Sequence, residues 1–136
     1  MEKKILFGTL GGGLTGMLVS MAIFMGLFGG MAEQWMTENA ACLKPMEGGF
    51  VWWIAISVFW GLLYSLLFHK LTISTFKGGA IAGAWIGLLI ALIFGFSQAS
   101  TYIAYPWSWM PFDVIASAVT GSIAGGVVGW IFGKVK

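Results

Sequence analysis

Charged residues divide the chain into four long uncharged runs. Residues 5–32 carry no charge over 28 positions, and residues 48–69 none over 22 if His69 is neutral. Residues 78–112 carry none over 35, and residues 114–133 none over 20. A helix needs about 20 apolar residues to cross the hydrocarbon core of a bilayer. The pattern therefore predicts four transmembrane helices, over 5–29, 50–69, 77–97 and 112–133, in an all-α integral membrane four-helix bundle. The first run follows Met-Glu-Lys-Lys and could pass for a secretion signal, with Gly30-Met31-Ala32 as its cleavage site. It is much longer than the roughly 7–15 residues of a signal's apolar region, so it reads as the first span.

The breaks between runs predict orientation. Lys3 and Lys4 precede the first span, Lys70 and Lys77 separate the second and third, and Lys134 and Lys136 follow the fourth. The opposite breaks hold Glu33, Glu38, Glu47 and Asp113 with Lys44 alone. Six of seven Lys thus share one side, which the positive-inside rule makes cytoplasmic, with both chain ends inside. The other side carries an uncharged aromatic segment, 98–112. Its Tyr102, Tyr105, Trp107, Trp109 and Phe112 suit the headgroup layer, as do Trp52 and Trp53 at the start of the second span. Pro111 fits the first turn of the fourth span and Asp113 the positive end of its dipole.

Composition adds a packing signal. Hydrophobic residues make up 59% of the 136, mean hydropathy is +0.91, and only 9% are charged against about 25% in soluble domains. Glycine supplies 21 residues, and its spacing is regular. Gly8, Gly12, Gly16 and Ser20 recur every fourth position in the first span; Ser57, Gly61 and Ser65 in the second; Gly79, Gly83, Gly87, Ala91 and Gly95 in the third; Ser117, Gly121, Gly125, Gly129 and Gly133 in the fourth. A four-residue spacing places these on one face of each helix, where small side chains let backbones approach closely in lipid. The first and third lanes align at an offset of 71, the second and fourth at 60. That register suggests two tandem helical hairpins related as a parallel repeat.

Trp60-Gly61-Leu62-Leu63-Tyr64, the string Lys77-Gly78-Gly79-Ala80-Ile81-Ala82-Gly83-Ala84-Trp85 and the string Gly121-Ser122-Ile123-Ala124-Gly125-Gly126-Val127-Val128-Gly129 resemble spans two to four of a group of small bacterial four-span membrane proteins of unassigned function. The resemblance covers about half the chain and rests on Gly-rich motifs. It implies the fold and no activity. A His at the start of that group's last span is missing here, where Val119 and Thr120 stand. The expected location is a bacterial or archaeal cytoplasmic membrane.

Candidate chemistry is sparse. No charge lies deep within a predicted span, which argues against proton relays, voltage sensing and acid–base catalysis. The chain is therefore expected not to be an enzyme. The scattered Lys form no basic stripe for nucleic acid. One Cys and one His build neither an internal disulfide nor a zinc site. His69 closes the second span, as a helix-end cation or, less commonly, as a haem ligand or pH sensor. Asp113 reads as a helix-start carboxylate or as a cation-attracting mouth. Hydroxyls such as Thr9, Thr15, Ser20, Ser57, Tyr64 and Thr120 either bond helix backbones or line a polar path. Methionine supplies the sharpest ligand set. Met17, Met21 and Met25 point along the first span toward Met31, Met36, Cys42 and Met46, soft donors suited to Cu(I). The same residues serve equally as flexible apolar filler. No resident cofactor is expected beyond lipid contacts and this Cu(I) site.

The functional expectation is a non-catalytic accessory or scaffold subunit of a larger membrane complex, respiratory or otherwise electron-transferring. Its partners would be lipid and other membrane subunits or copies of itself. The lane residues Gly8, Gly12, Gly16, Gly61, Gly79, Gly83, Gly87, Gly121, Gly125 and Gly129 would carry helix packing. The alternative is a homo-oligomeric channel or small-solute carrier.

Overall fold

A computed structural model describes residues 2–27, 29–38, 46–101 and 107–135. These form five helices: α1 (Glu2–Leu27), α2 (Gly29–Glu38), α3 (Met46–Lys70), α4 (Phe76–Thr101) and α5 (Met110–Lys134). α1, α4, α5 and the Val51–Lys70 part of α3 are long and apolar enough to cross a membrane. The protein is an all-helical membrane bundle with four candidate spans.

The helix limits differ from the sequence expectation in ways that have local causes. α1 is described through Leu27 and a ten-residue helix, α2, over Gly29–Glu38, with residue 28 between them outside the described residues. Charged and polar side chains interrupt the hydropathy of α2, so it escapes a search for spans. It is held by its own one-turn contacts: Gln34 Nε2 donates to Glu38 Oε1 at 3.0 Å, and Thr37 Oγ1 donates to the Glu33 carbonyl at 2.8 Å. The segment 98–112, expected as a loop, contributes the last turn of α4, through Thr101, and the first of α5, from Met110. Trp109 occupies the cap position of α5, with Pro111 in the first turn, where its missing N–H is no loss.

The connection between α3 and α4 is the best-defined turn. The Ile73 N–H donates to the Phe68 carbonyl at 3.0 Å and the Thr72 N–H to the His69 carbonyl at 3.4 Å. This is the Schellman pattern, and it requires a left-handed residue, here Thr72 at φ 55°. Ile73 packs on the core cluster that contains Phe68, the apolar contact that accompanies this motif. Thr75 then starts α4, its Oγ1 accepting the Gly78 N–H at 3.1 Å.

α5 is the hub. It packs on α4, α1 and α3, and the buried share of its span is 33% against 11% for α1. α3 lies chiefly against α1, and α4 chiefly against α5. The core is at the end of the bundle that carries both chain ends. There Tyr64 and Phe68 of α3 meet Ala124, Val128 and Phe132 of α5, with Trp60, Ile73, Ala82, Ile86 and Ile131 packed around them. Trp60, Tyr64 and Phe68 form a ladder on α3 with successive ring centroids 5.7 Å apart.

The two hairpins share one register. A methyl added at Gly8 would meet Ser65, and one at Gly79 would meet Gly125; likewise Gly12 faces Gly61 and Gly83 faces Gly121. These pairs correspond at the offsets of 71 and 60. The symmetry stops at the hairpins, because α1 packs extensively on α5 while α4 makes no comparable interface with α3.

Candidate functional site: a cavity between α1, α3 and α5

The closest helix contacts are backbone on backbone. A Cβ at Gly79, Gly83 or Gly87 would strike the carbonyl oxygens of Gly125, Gly121 and Ser117 in turn. At the end of α5, Gly129 and Gly133 meet the carbonyls of Thr75 and Ser74. α4 and α5 therefore stay in close contact from the chain-end side to about mid-bundle, and only a hydrogen atom fits at these positions.

α1 behaves differently along its length. Gly8 faces Phe132 and Ser65, Gly12 faces Val128, and Gly13 would strike the Ser57 carbonyl. Gly61 reciprocates against the Thr9 carbonyl and the Gly13 nitrogen. Gly16, the next lane residue, makes only ordinary contact, 3.7 Å to the Ala124 Cβ, and Gly26 has nothing within 4 Å. Contact thus loosens after about Gly13, and Met17, Ile23, Phe24, Trp53 and Ile56 line the space that opens there.

The resulting cavity has a volume of about 370 Å³ and begins at Gly12, Gly13 and Tyr64. It runs past Ser20, Ser57, Ser117 and Thr120 to Phe24, Trp53, Trp109, Phe112 and Asp113. Twelve residues of α1, from Gly13 to Phe24, give a length of about 16 Å over eleven rises of about 1.5 Å. α4 contributes only Gly87 to the wall. Most of the wall is apolar or aromatic, with a few hydroxyls and one carboxylate, the usual make-up of a small-molecule site. The Ser57 hydroxyl proton goes to the Trp53 carbonyl at 2.8 Å, leaving its oxygen free to accept. On the chain-end side the cavity stops against the core, where Phe68 and Val128 are 0% exposed.

The sequence-predicted residues fall into three groups. The lane glycines lie mostly at helix contacts, joined by Gly13, which stands off the four-residue lane and was not anticipated; its adjacency to Gly12 was the available signal. The aromatic segment divides: Trp107 is exposed, Trp109 and Phe112 line the cavity, and Tyr102 and Tyr105 lie outside the described residues. Of the proposed soft-metal set, only Met31 has a described side chain. Met31 is exposed on α2, Cys42 lies outside the described residues, and Met36 and Met46 fall on α2 and at the start of α3 with undescribed side chains. Of the methionine stripe, Met17 lines the cavity and Met25 is 72% exposed. His69 is half-buried in the last turn of α3, and no three His, Cys, Asp or Glu side chains cluster among the described residues. At the deep end of the cavity, Tyr64 is one of the hydroxyls expected to bond a helix backbone or line a polar path, whereas Trp60 was legible only as part of a span.

No family model, curated protein or solved structure matches the chain.

Proposed function

We propose that the protein is a membrane-embedded binding protein for small, largely apolar solutes, working as a carrier. The observation that supports this reading is the cavity: about 370 Å³, walled by three helices and stopped at one end by a packed aromatic core. A bundle that served only as filler would gain more by closing α1 and α3 along their whole length, as α4 and α5 do around their lane. The described Lys all stand at the chain-end side, which under the positive-inside rule supports an outward-facing aromatic end for the cavity, in a bacterial or archaeal cytoplasmic membrane. The catalytic groups an enzyme would need are not part of this reading, which asks of the wall only binding and release.

The test is direct. The chain is placed in nanodiscs, and an environment-sensitive apolar fluorophore is titrated while the Trp emission is followed. Ser20→Trp and Thr120→Trp fill the cavity from α1 and α5; Ile93→Trp, on the exposed face of α4, is the control. Saturable binding lost in the first two and kept in the third supports the reading. Equal signals from all three would end it. Uptake of the same solute into proteoliposomes then separates a carrier from a receptor.

The accessory-subunit reading keeps one observation of its own. α4 is held mainly by α5, and Ile81, Trp85, Leu89 and Ile93 form an exposed stripe opposite its glycine lane. The stripe fits lipid and a partner helix equally, and gentle solubilisation followed by identification of co-migrating chains discriminates. A cofactor-bearing partner favours the subunit; a chain migrating alone or with its own copies favours the carrier.

A further inference from the structure

Taking the cavity to be a ligand site, we infer that its ligand is an amphipathic organic cation, an aryl-bearing quaternary ammonium being the simplest case. Three features of the wall converge. Trp53, Trp60, Trp109 and Phe112 supply aromatic faces to one cavity, and such faces attract a cation through the ring quadrupole. Asp113 places a carboxylate on the same wall. The helix dipole accounts for a carboxylate in the first turn of α5; it does not account for that carboxylate lining a cavity among aromatic rings.

The third feature is the distribution of charge. Lys3, Lys4, Lys70, Lys77 and Lys134 all lie at the chain-end side of the bundle. On the opposite side of the bundle the charged groups with described side chains are Glu33 and Glu38 on α2 and Asp113 at the start of α5. A low-dielectric cleft under such a field concentrates cations and repels anions. Along the sequence this side carries four carboxylates against the single Lys44, so an anion would meet net repulsion. A neutral apolar molecule would use the apolar wall and leave the carboxylate unused. A cation with an aryl body uses the whole wall: the ring against the apolar α1 and α3 side chains, the charged head among the aromatic faces beside Asp113.

The experiment uses the intact chain in nanodiscs of phosphatidylcholine, whose zwitterionic surface holds no net charge to collect cations. Benzyltrimethylammonium is compared with neopentylbenzene, which has the same shape without the charge, and with benzylsulfonate, the anion. Binding is read by Trp quenching, corrected for partition into empty nanodiscs. The cation should bind at least about fivefold tighter than its neutral isostere, the scale of a cation–π contact plus a nearby carboxylate, and benzylsulfonate should not bind. Asp113→Asn should lower the cation's preference over its isostere without abolishing it, and Asp113→Glu should retain it. Equal binding of cation and isostere overturns the inference and leaves the cavity reading standing. Failure of all three probes, with the apolar fluorophore also unbound, overturns both. Should Asp113→Asn not fold, the comparison of the three ligands on the unaltered chain decides alone.

Discussion

Gly83→Ala isolates the close contact between α4 and α5. The added methyl would land inside van der Waals distance of the Gly121 carbonyl oxygen and 3.1 Å from the Gly125 Cα. Both are backbone atoms, so no rotamer change relieves the clash, and the helices must part by about 1 Å to restore ordinary contact. Overpacking of this kind costs about 1–3 kcal/mol. Alanine recovers up to about 1 kcal/mol of helix propensity, so the net loss should be about 1–2 kcal/mol. The penalty should repeat at Gly79 and Gly87, whose added methyls meet the Gly125 and Ser117 carbonyls. Gly16→Ala is the internal comparison, since its methyl finds only the Ala124 Cβ at 3.7 Å; it should be neutral or stabilising. Equilibrium unfolding in mixed detergent micelles, followed by Trp fluorescence and far-UV circular dichroism, measures the difference. Should Gly83→Ala unfold at the same denaturant fraction as Gly16→Ala, backbone contact would not be what holds α4 to α5.

Other substitutions test other parts of the bundle. Thr72→Gly relieves a β-branched residue from φ 55° and should stabilise the α3–α4 turn by about 1 kcal/mol, read in the same unfolding assay. Ser65→Ala removes a hydroxyl that is 0% exposed and without a hydrogen-bond partner among the described residues, so it should raise stability by up to about 1 kcal/mol rather than lower it. Phe68→Ala empties a fully buried site. In lipid the transfer part of the usual cost falls away, leaving roughly 2 kcal/mol for the void, measurable as an earlier unfolding midpoint with no change in helix content.

The spans were legible because charge is excluded from hydrocarbon. Four uncharged runs leave few alternatives, and the termini of α3, α4 and α5 fall within a few residues of the expected ones. α2 was not legible: Gly29–Glu38 has neither the length nor the apolarity of a span, and one-turn side-chain contacts such as Gln34 to Glu38 do not show in hydropathy. The glycine lanes could be read as contact faces, but not for their partners. A four-residue spacing says which face is small without saying what it meets; Gly12 meets Val128 of α5 more closely than it meets Gly61 of α3. The cavity was the least legible feature, because Trp53, Trp60, Trp109 and Phe112 read as belt or lipid-facing aromatics until the path of α1 shows them lining one space.

The position of the cavity follows from where the small residues stop. α4 and α5 carry matched small positions from Gly79 opposite Gly125 to Gly87 opposite Ser117, so their backbones stay in contact. α1 and α3 carry them only as far as Gly13 opposite Ser57. Beyond that point Met17, Ile23 and Phe24 stand on α1 and Trp53 and Ile56 on α3, side chains too large for backbone approach. In water such a gap would be closed by the drive to bury apolar surface. In lipid that drive is absent, so two helices remain apart wherever close packing is not available to join them. The bundle is therefore tight where a glycine meets a facing backbone and open where aromatic residues begin, with Asp113 placed on the open wall. A cavity that no backbone contact closes can admit a ligand without first breaking a packed interface.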